Sequence, residues 1–423
     1  MSTFHRLAAL GEADNRVIPA IVGAGFVGRG LVLHLARTPG VAPPLVANRT
    51  PGRAVRLLEG AGHDPRVITV SDDPSRLSQA VAEGRPAVTA DARVIPEVAG
   101  VGLLIEATGA MDYGTEAIRT ALHAGLDVIS YNAEVDALLG HLLTAEANAH
   151  GAVYSIADGD QPGVLLRVLD EVRSLGLRAV AAMNCKRNLD VHQDPESSRE
   201  YAARDNTSVA MTTAFGDGTK MHIENVVVAN LTGLTPLPIG TPGVRTTLAE
   251  VAADVAGEGF PDGFVHFTLG GDFGGGVLVL AGSDQPDFDT PYLRYGKLGD
   301  GPLFPFFRPY HLIHLEAPTT IADVTLDRTA LGRRTPRPVA ECVTIAKRDL
   351  EPGTVLDGIG GAACYGTSAA AGEAEGLLPI GLSNHARVVR AVGADRPVTL
   401  DDVEIDEHAA LVGLRRRQEQ LTL

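Results

Sequence analysis

Arg16-Val-Ile-Pro-Ala-Ile-Val-Gly-Ala-Gly-Phe-Val-Gly-Arg-Gly30 is an apolar run that becomes Gly23-x-Gly25-x-x-Gly28 and then an amphipathic pattern. That order predicts a strand, a tight turn and a helix. Gly23 permits the turn, Gly25 lets the backbone approach a pyrophosphate, and Gly28 lets the helix pack close to the strand. Phe26 and Val27 open the helix. Its free N–H groups and partial positive charge attract phosphates. A dinucleotide is the expected cofactor.

The surrounding pattern extends this reading. Strand candidates at 18–23, 43–47, 66–70, 102–107 and 126–131 alternate with helical patterns at 26–37, 51–60, 73–82, 113–124 and 134–149. Such alternation predicts an α/β fold, a Rossmann-type doubly wound parallel sheet with helices on both faces. Ligands bind outside the carboxyl ends of such strands. Two of those ends carry Glu106-Ala-Thr108-Gly109 and Asn132-Ala-Glu134, so Thr108, Gly109 and Asn132 join the glycine turn as candidate cofactor contacts. After the second strand, the place where an NAD-binding domain carries an acid holds Asn48, followed by Arg49 and Thr50. An acid would repel a 2′-phosphate, whereas these three can hydrogen-bond one and Arg49 adds charge. The expected cofactor is therefore NADP(H).

The 423 residues are enough for two or three domains, with 45% hydrophobic and 21% charged residues. No apolar run reaches the length of a membrane span, and the first residues lack the apolar stretch of a signal peptide. No membrane association and a cytoplasmic location are expected. Cys185, Cys342 and Cys364 are too widely spaced for a disulfide framework or a familiar zinc site. A net charge of −16 argues against nucleic-acid binding, yet a local basic cluster can still hold a small anion.

From about 152 the texture changes. A strand at 152–157 leads into Asp158-Gly-Asp160-Gln-Pro-Gly163, a helix to about 175 and a strand at 177–184. Residues 186–206 are polar and read as a loop or lid. A helix is expected at 219–232, two strands within 264–282 and a helix at 309–324. Arg328 to Pro338 reads as a linker. A small β-rich unit with many turn residues follows, and Arg415 to Gln420 reads as a solvated tail. The expected domains are a dinucleotide-binding domain at 1–155, an α+β catalytic or substrate domain at 156–335, and a β-rich C-terminal unit at 336–423.

Several motifs together carry a family likeness. They are the glycine turn, Asp158 to Gly163, Phe215-Gly-Asp-Gly-Thr-Lys220, Tyr292-Leu-Arg-Tyr295, Gly299-Asp-Gly-Pro302, Arg308-Pro-Tyr-His311 with His314-Leu-Glu316, and Ala346-Lys-Arg-Asp-Leu-Glu-Pro-Gly353. In these the chain resembles the homoserine-dehydrogenase-like oxidoreductases with a C-terminal SAF domain, a family with a deoxyxylulose-phosphate reductoisomerase-like branch and sugar-acid oxidoisomerases. The resemblance runs nearly end to end. It implies a substrate and oligomerisation domain, a SAF-like C-terminal unit and a homo-oligomer. The second strand of such proteins often ends in an acid, and Asn48 departs from that pattern, which favours NADP.

Hydride transfer to a carbonyl needs a proton donor and a group that polarises the oxygen. Lys186 directly follows a predicted strand, and the resemblance implies a lysine there. Lys220 opens a helix, where a phosphate or carboxylate can bind, and Glu224 lies one turn on, able to orient it or simply to pair with it. Asp217 suits a helix cap. Arg294, Lys297, Arg308 and His311 form a cationic cluster suited to an anionic substrate, with His311 a candidate proton donor. Asp158 and Asp160 could hold a divalent metal, and Asp160 could take a proton; both could equally cap the following helix. The expected function is NADP-dependent oxidation, reduction or reductoisomerisation of a small polar anion such as deoxyxylulose 5-phosphate. The alternatives are a homoserine-type alcohol dehydrogenase, a sugar-acid oxidoisomerase and a non-catalytic NADP(H) sensor.

Overall fold

The structure, a computed structural model, describes residues 2–13, 15–205, 207–271 and 273–421. Two compact units divide the chain: residues 1–160 with 312–332, and residues 161–311 with 333–423.

In the first unit β1 (Pro19–Val22), β2 (Leu45–Ala47), β3 (Thr69–Val70), β4 (Ala87–Thr89), β5 (Leu103–Glu106), β6 (Asp127–Ser130) and β7 (Tyr154–Ile156) form one parallel sheet, ordered β3-β4-β2-β1-β5-β6-β7. Its helices are α1 (Thr3–Glu12), α2 (Phe26–Leu35), α3 (Pro51–Gly60), α4 (Pro74–Ala82), α5 (Met111–His123) and α6 (Ala133–Ala149). Every residue of β1, β2, β5 and β6 is buried, as a parallel sheet covered on both faces requires. β2 pairs with one edge of β1 and β5 with the other, so the topological switch point falls at the end of β1, where the glycine turn begins. Helix Ala317–Leu326 adds Ile321, Ala322 and Val324 to the core that holds Ile21 and Val46. Arg6 of α1 clasps Asp327 with two hydrogen bonds, at 2.6 and 2.9 Å. The expected strand at 66–70 begins instead as a 3-10 turn, Pro65–Val67.

The second unit contains α7 (Gln161–Ser174), β8 (Arg178–Lys186), α8 (Pro195–Asp205), α9 (Val209–Gly216), α10 (Thr219–Thr232), β9 (Thr235–Pro236), β10 (Val244–Arg245), α11 (Val251–Glu258), β11 (Phe264–Leu269), β12 (Val277–Gly282), α12 (Pro286–Tyr295) and β13 (Leu303–Arg308). Its mixed sheet is ordered β10-β11-β8-β12-β13, with β9 also on β11. Three expectations change here. The polar stretch 186–206 contains α8, which buries only Ser198 and Ala202 and so shows no apolar stripe. The expected helix at 309–324 follows β13 and consists of a 3-10 turn, Ile313–Glu316, and then the helix that begins at Ala317. The C-terminal arginines are only partly a solvated tail, Arg416 and Arg417 being exposed. They lie on a helix, Ala410–Glu419, and Arg415 reaches the buried Glu341 carboxylate at 2.5 Å.

The β-rich segment is built on the antiparallel hairpin of β14 (Ala340–Ala346) and β15 (Cys364–Ala370). Leu350, Leu356, Leu378, Val388 and Val398 give this segment a core of its own. The hairpin is stitched to α10. Thr219 Oγ1 accepts the Gly366 N–H at 2.8 Å, and His222 Nδ1 accepts the Ser368 N–H at 3.2 Å.

His222 therefore sits neutral, with its proton on Nε2. Burial pushes it down to about 3, and the nearby His266, itself lowered by burial, adds repulsion. An unfolded histidine binds a proton below about pH 6.5, whereas folded His222 stays neutral down to about 3. Stability is then lost progressively as pH falls below about 6.5, at about 1.4 kcal/mol per pH unit for each such histidine. Urea unfolding at pH 7, 6 and 5 is expected to show this loss, with a shallower slope in His222→Gln. Equal slopes in the two proteins would remove His222 from the account.

Candidate functional site

The first unit places the glycine turn at the carboxyl end of β1. Gly23 has φ +111°, and a Cβ there would lie 2.8 Å from the Ala107 carbonyl oxygen. A Cβ on Gly28 would lie 2.1 Å from the Gly23 carbonyl oxygen, a fixed backbone atom. Gly25 differs. It is the N-cap of α2, and a Cβ on it would meet nothing within 4 Å. Space is therefore kept open at the helix N-terminus, beside the exposed Phe26. Val27 is half-buried behind it. An open backbone cradle with free helix N–H groups fits a dinucleotide pyrophosphate.

The neighbouring strand ends complete this half. Asn48 gives one amide hydrogen to the Thr50 carbonyl at 2.9 Å. Arg49 is exposed, its guanidinium 6.0 Å from the centre of the Tyr113 ring, and Thr50 begins α3. The turn after β5 touches Gly23 through the Ala107 and Thr108 backbone. It is held by Glu106, whose Oε1 accepts the Thr108 N–H at 2.8 Å and the Thr108 hydroxyl. Gly109, which follows, is exposed. Burial lifts the Glu106 carboxyl to about 7, against the Thr108 and Asn132 hydrogen bonds that lower it. Asn132 is buried as the N-cap of α6, its Oδ1 accepting the Val135 N–H at 3.2 Å. Beyond β7, Asp158 is buried and Asp160 half-buried. Burial first, then the charges of Asp160, Asp158 and Glu316, keeps the buried Tyr131 phenol protonated. Among the described residues no group of three or more His, Cys, Asp or Glu side chains is placed to hold a metal ion.

The second unit brings some of its candidates to one sheet edge. Lys186 ends β8, directly beside Leu269 of β11, and two residues before it Asn184 pairs with Val277 of β12. Val277 pairs in turn with Arg308, the last residue of β13. Gln161, the first residue of α7, reaches the Gly276 carbonyl at 3.4 Å. The Lys186 ammonium lies 5.5 Å from the centre of the Phe215 ring, which brings in the turn from α9 to α10. Gly218 is the N-cap of α10, and Asp217 just before it accepts the Thr219 N–H, the first of that helix, through Oδ1 at 2.8 Å; Lys220 and Glu224 lie buried in the first turns. Underneath, Asn184 donates to Asn225 at 3.1 Å. His311 follows Arg308 by three residues and is half-buried. Arg294 and Lys297 are exposed, and Arg294 is ion-paired with Asp300. Their segment joins the sheet at the opposite edge, where Gly282 of β12 pairs with Leu303 of β13, so the expected cluster with Arg308 and His311 is not assembled by the strand register. Lys347, which the sequence hides 127 residues beyond Lys220, forms a buried ion pair with Asp217 at 2.7 Å.

Residues 159–317 match the family model of the oxidoreductase DRL catalytic domain. This segment holds every second-unit candidate named above except Lys347. Together with the dinucleotide cradle of the first unit it fixes the class. The chain is an NAD(P)-dependent oxidoreductase. No curated protein matches this oxidoreductase. Solved structures similar to it include an oxidoreductase from Agrobacterium radiobacter in complex with NAD+, L-tartaric acid and magnesium, at 12% identity over 41% of this chain and 45% of that one, with TM-score 0.29. A probable dehydrogenase from Thermotoga maritima is similar at 10% identity over 75% of this chain and 91% of that one, TM-score 0.43. A DOX-P reductoisomerase with NADPH, fosmidomycin and magnesium is similar at 12% identity over 75% and 71%, TM-score 0.43. The chain spans less than half the length of the Agrobacterium protein. Among the described residues no helix is long and apolar enough to cross a membrane.

Arg49 provides a direct check on the cofactor. An exposed guanidinium beside the ribose end of a Rossmann site is suited to a 2′-phosphate. Arg49→Glu is expected to raise the KM for NADPH roughly 10-fold or more and to leave the KM for NADH unchanged or lower. Steady-state kinetics with both cofactors measures this. Equal effects on the two would argue against 2′-phosphate recognition.

Proposed function

We propose that the protein uses NADP(H) and acts on a small, polar, anionic hydroxy or oxo compound of the phosphosugar type, by reductoisomerisation or by plain reduction. The observation that carries this reading is the placement of Lys186 and Arg308 at one sheet edge, with the first turn of α10 that holds Lys220 packed on Asn184 there, in a chain of net charge −16. A local cationic cluster against an acidic background selects an anion.

The dinucleotide, when bound, supplies the hydride. Gly23, Gly25 and Gly28 seat its pyrophosphate, and Arg49 with Thr50 holds the 2′-phosphate. Arg308 suits bidentate contact with the substrate phosphate or carboxylate. Lys186 and Lys220 polarise the carbonyl oxygen and stabilise the negative charge that grows on it as the hydride arrives. Glu224, one turn from Lys220, orients the lysine. His311 delivers the proton that completes the alcohol.

The test is turnover of deoxyxylulose 5-phosphate with NADPH, with and without Mg2+, beside homoserine with NADP+. Consumption of NADPH with the phosphosugar supports the reading. Activity on homoserine alone would replace it with a homoserine-type alcohol dehydrogenase.

A further inference from the structure

Lys347 is a cation in the wrong place for a surface residue. It lies buried just after β14, in the β-rich segment, and the activity proposed above makes no use of it. Its ammonium donates to the Gln193 carbonyl at 2.6 Å and the Gly361 carbonyl at 2.7 Å, and it pairs with Asp217 Oδ2 at 2.7 Å. The two carbonyls take two of its three donors, and its charge faces the Asp217 carboxylate. Asp217 Oδ1 is meanwhile engaged by the Thr219 N–H. One ammonium thus ties together the chain before α8, the β-rich segment and the turn that launches α10.

The tie is reinforced along the hairpin. Thr219 binds the Gly366 N–H and His222 binds the Ser368 N–H, at alternate residues of β15. The turn itself is tight. Gly218 has φ +86°, and a Cβ on it would lie 2.7 Å from Leu189 Cδ1. Lys220 is two residues beyond this turn and Phe215, which faces Lys186, two residues before Asp217.

We propose that Lys347 is a positioning residue of the reaction, and that the β-rich segment serves to present it. Its charge holds Asp217, Asp217 accepts the first N–H of α10, and that bond fixes where Lys220 and Glu224 project. This rests on the proposed function of Lys220. Removing only the cation leaves a buried carboxylate without a counter-charge, which disrupts more than the loss of both partners. Burial already raises the Asp217 carboxyl despite Lys347. Cys364 and Tyr365 also feel the Asp217 charge, but burial pushes each to about 12, so both stay neutral near pH 7.

The experiment uses the full chain as Lys347→Met, Asp217→Asn and the double variant. Lys347→Met is expected to lower kcat/KM about 100-fold, mainly through kcat, as a small misplacement of a reacting group does. Its affinity for NADPH should match the wild type. The loss should shrink as pH is lowered, because an uncompensated buried carboxylate takes a proton more readily. The double variant is expected to recover to within about 5-fold of the wild type. Wild-type kinetics in Lys347→Met, or a folded double variant as impaired as the single one, would overturn the proposal. Hydrogen exchange of residues 219–232 provides a readout that needs no turnover. It should accelerate about 10-fold or more in Lys347→Met and return in the double variant. If the wild type reduces no carbonyl compound but exchange behaves in this way, the functional reading fails and the positioning of α10 stands. Unchanged exchange in Lys347→Met would remove the positioning itself.

Discussion

Gly25→Ala is expected to fold and melt like the wild type and to bind NADPH roughly 10- to 100-fold more weakly, the penalty of forcing a methyl group into a close contact. The prediction separates two roles that glycines play in one turn. Gly25 has ordinary backbone angles, φ −83° and ψ −157°, and open space where a Cβ would stand. The protein alone therefore gives no reason for a glycine there. A phosphate drawn to the α2 N-terminus does, because a methyl group would hold it off the N–H groups. Gly28→Ala is the contrasting case. Its Cβ would collide with the Gly23 carbonyl, so both the melting temperature and the affinity should fall. Thermal unfolding and fluorescence titration with NADPH on the two variants measure the contrast. A Gly25→Ala protein that binds NADPH as well as the wild type would mean that the cradle holds no pyrophosphate.

The second large effect belongs to Lys220. Lys220→Met keeps the length and bulk of the side chain and removes its charge. A preorganised donor aimed at a developing oxyanion contributes about 10²–10³ in kcat, so turnover is expected to fall by that factor. Binding of NADPH should remain within about threefold of the wild type, since the dinucleotide cradle is built by other residues. A loss confined to KM would make Lys220 a simple anchor that binds ground state and transition state equally. Unchanged kinetics would exclude it from the chemistry.

What could be read from the sequence follows from what the physics leaves there. The parallel sheet was legible because its buried strands leave short apolar runs, Ala20 to Val22 in β1, Leu103 to Ile105 in β5 and Val128-Ile129 in β6. The glycine turn was legible because each glycine answers a local steric demand. Lys186 could be picked out because the apolar run of β8 stops there. Three elements left no such mark. α8 buries two small residues, and a helix without an apolar stripe resembles a polar loop. β4 has three residues, too few for a pattern. β13 reads Leu-Phe-Pro-Phe-Phe-Arg, and its internal proline argues against a strand, although β13 lies at the sheet edge where proline is tolerated. The candidate site shows the same division. That Lys186, Arg308 and Gln161 share an edge depends on strand register, which composition does not carry. Arg415 read as part of a solvated tail, and Lys347 carried no role of its own, because their partners, Glu341 and Asp217, are distant in sequence. Buried ion pairs between distant segments appear only when the chain is folded.

The central claim, hydride exchange between a bound nicotinamide and a small anionic substrate, is tested most directly by isotope transfer. The enzyme would be incubated with deoxyxylulose 5-phosphate and NADPH deuterated at either face of the nicotinamide C4, and the product mass measured. The account predicts one deuterium in the product from one of the two labelled cofactors and none from the other. NADPH binding without consumption, and no deuterium from either face with any anionic carbonyl compound, would contradict it and favour an NADP(H) sensor.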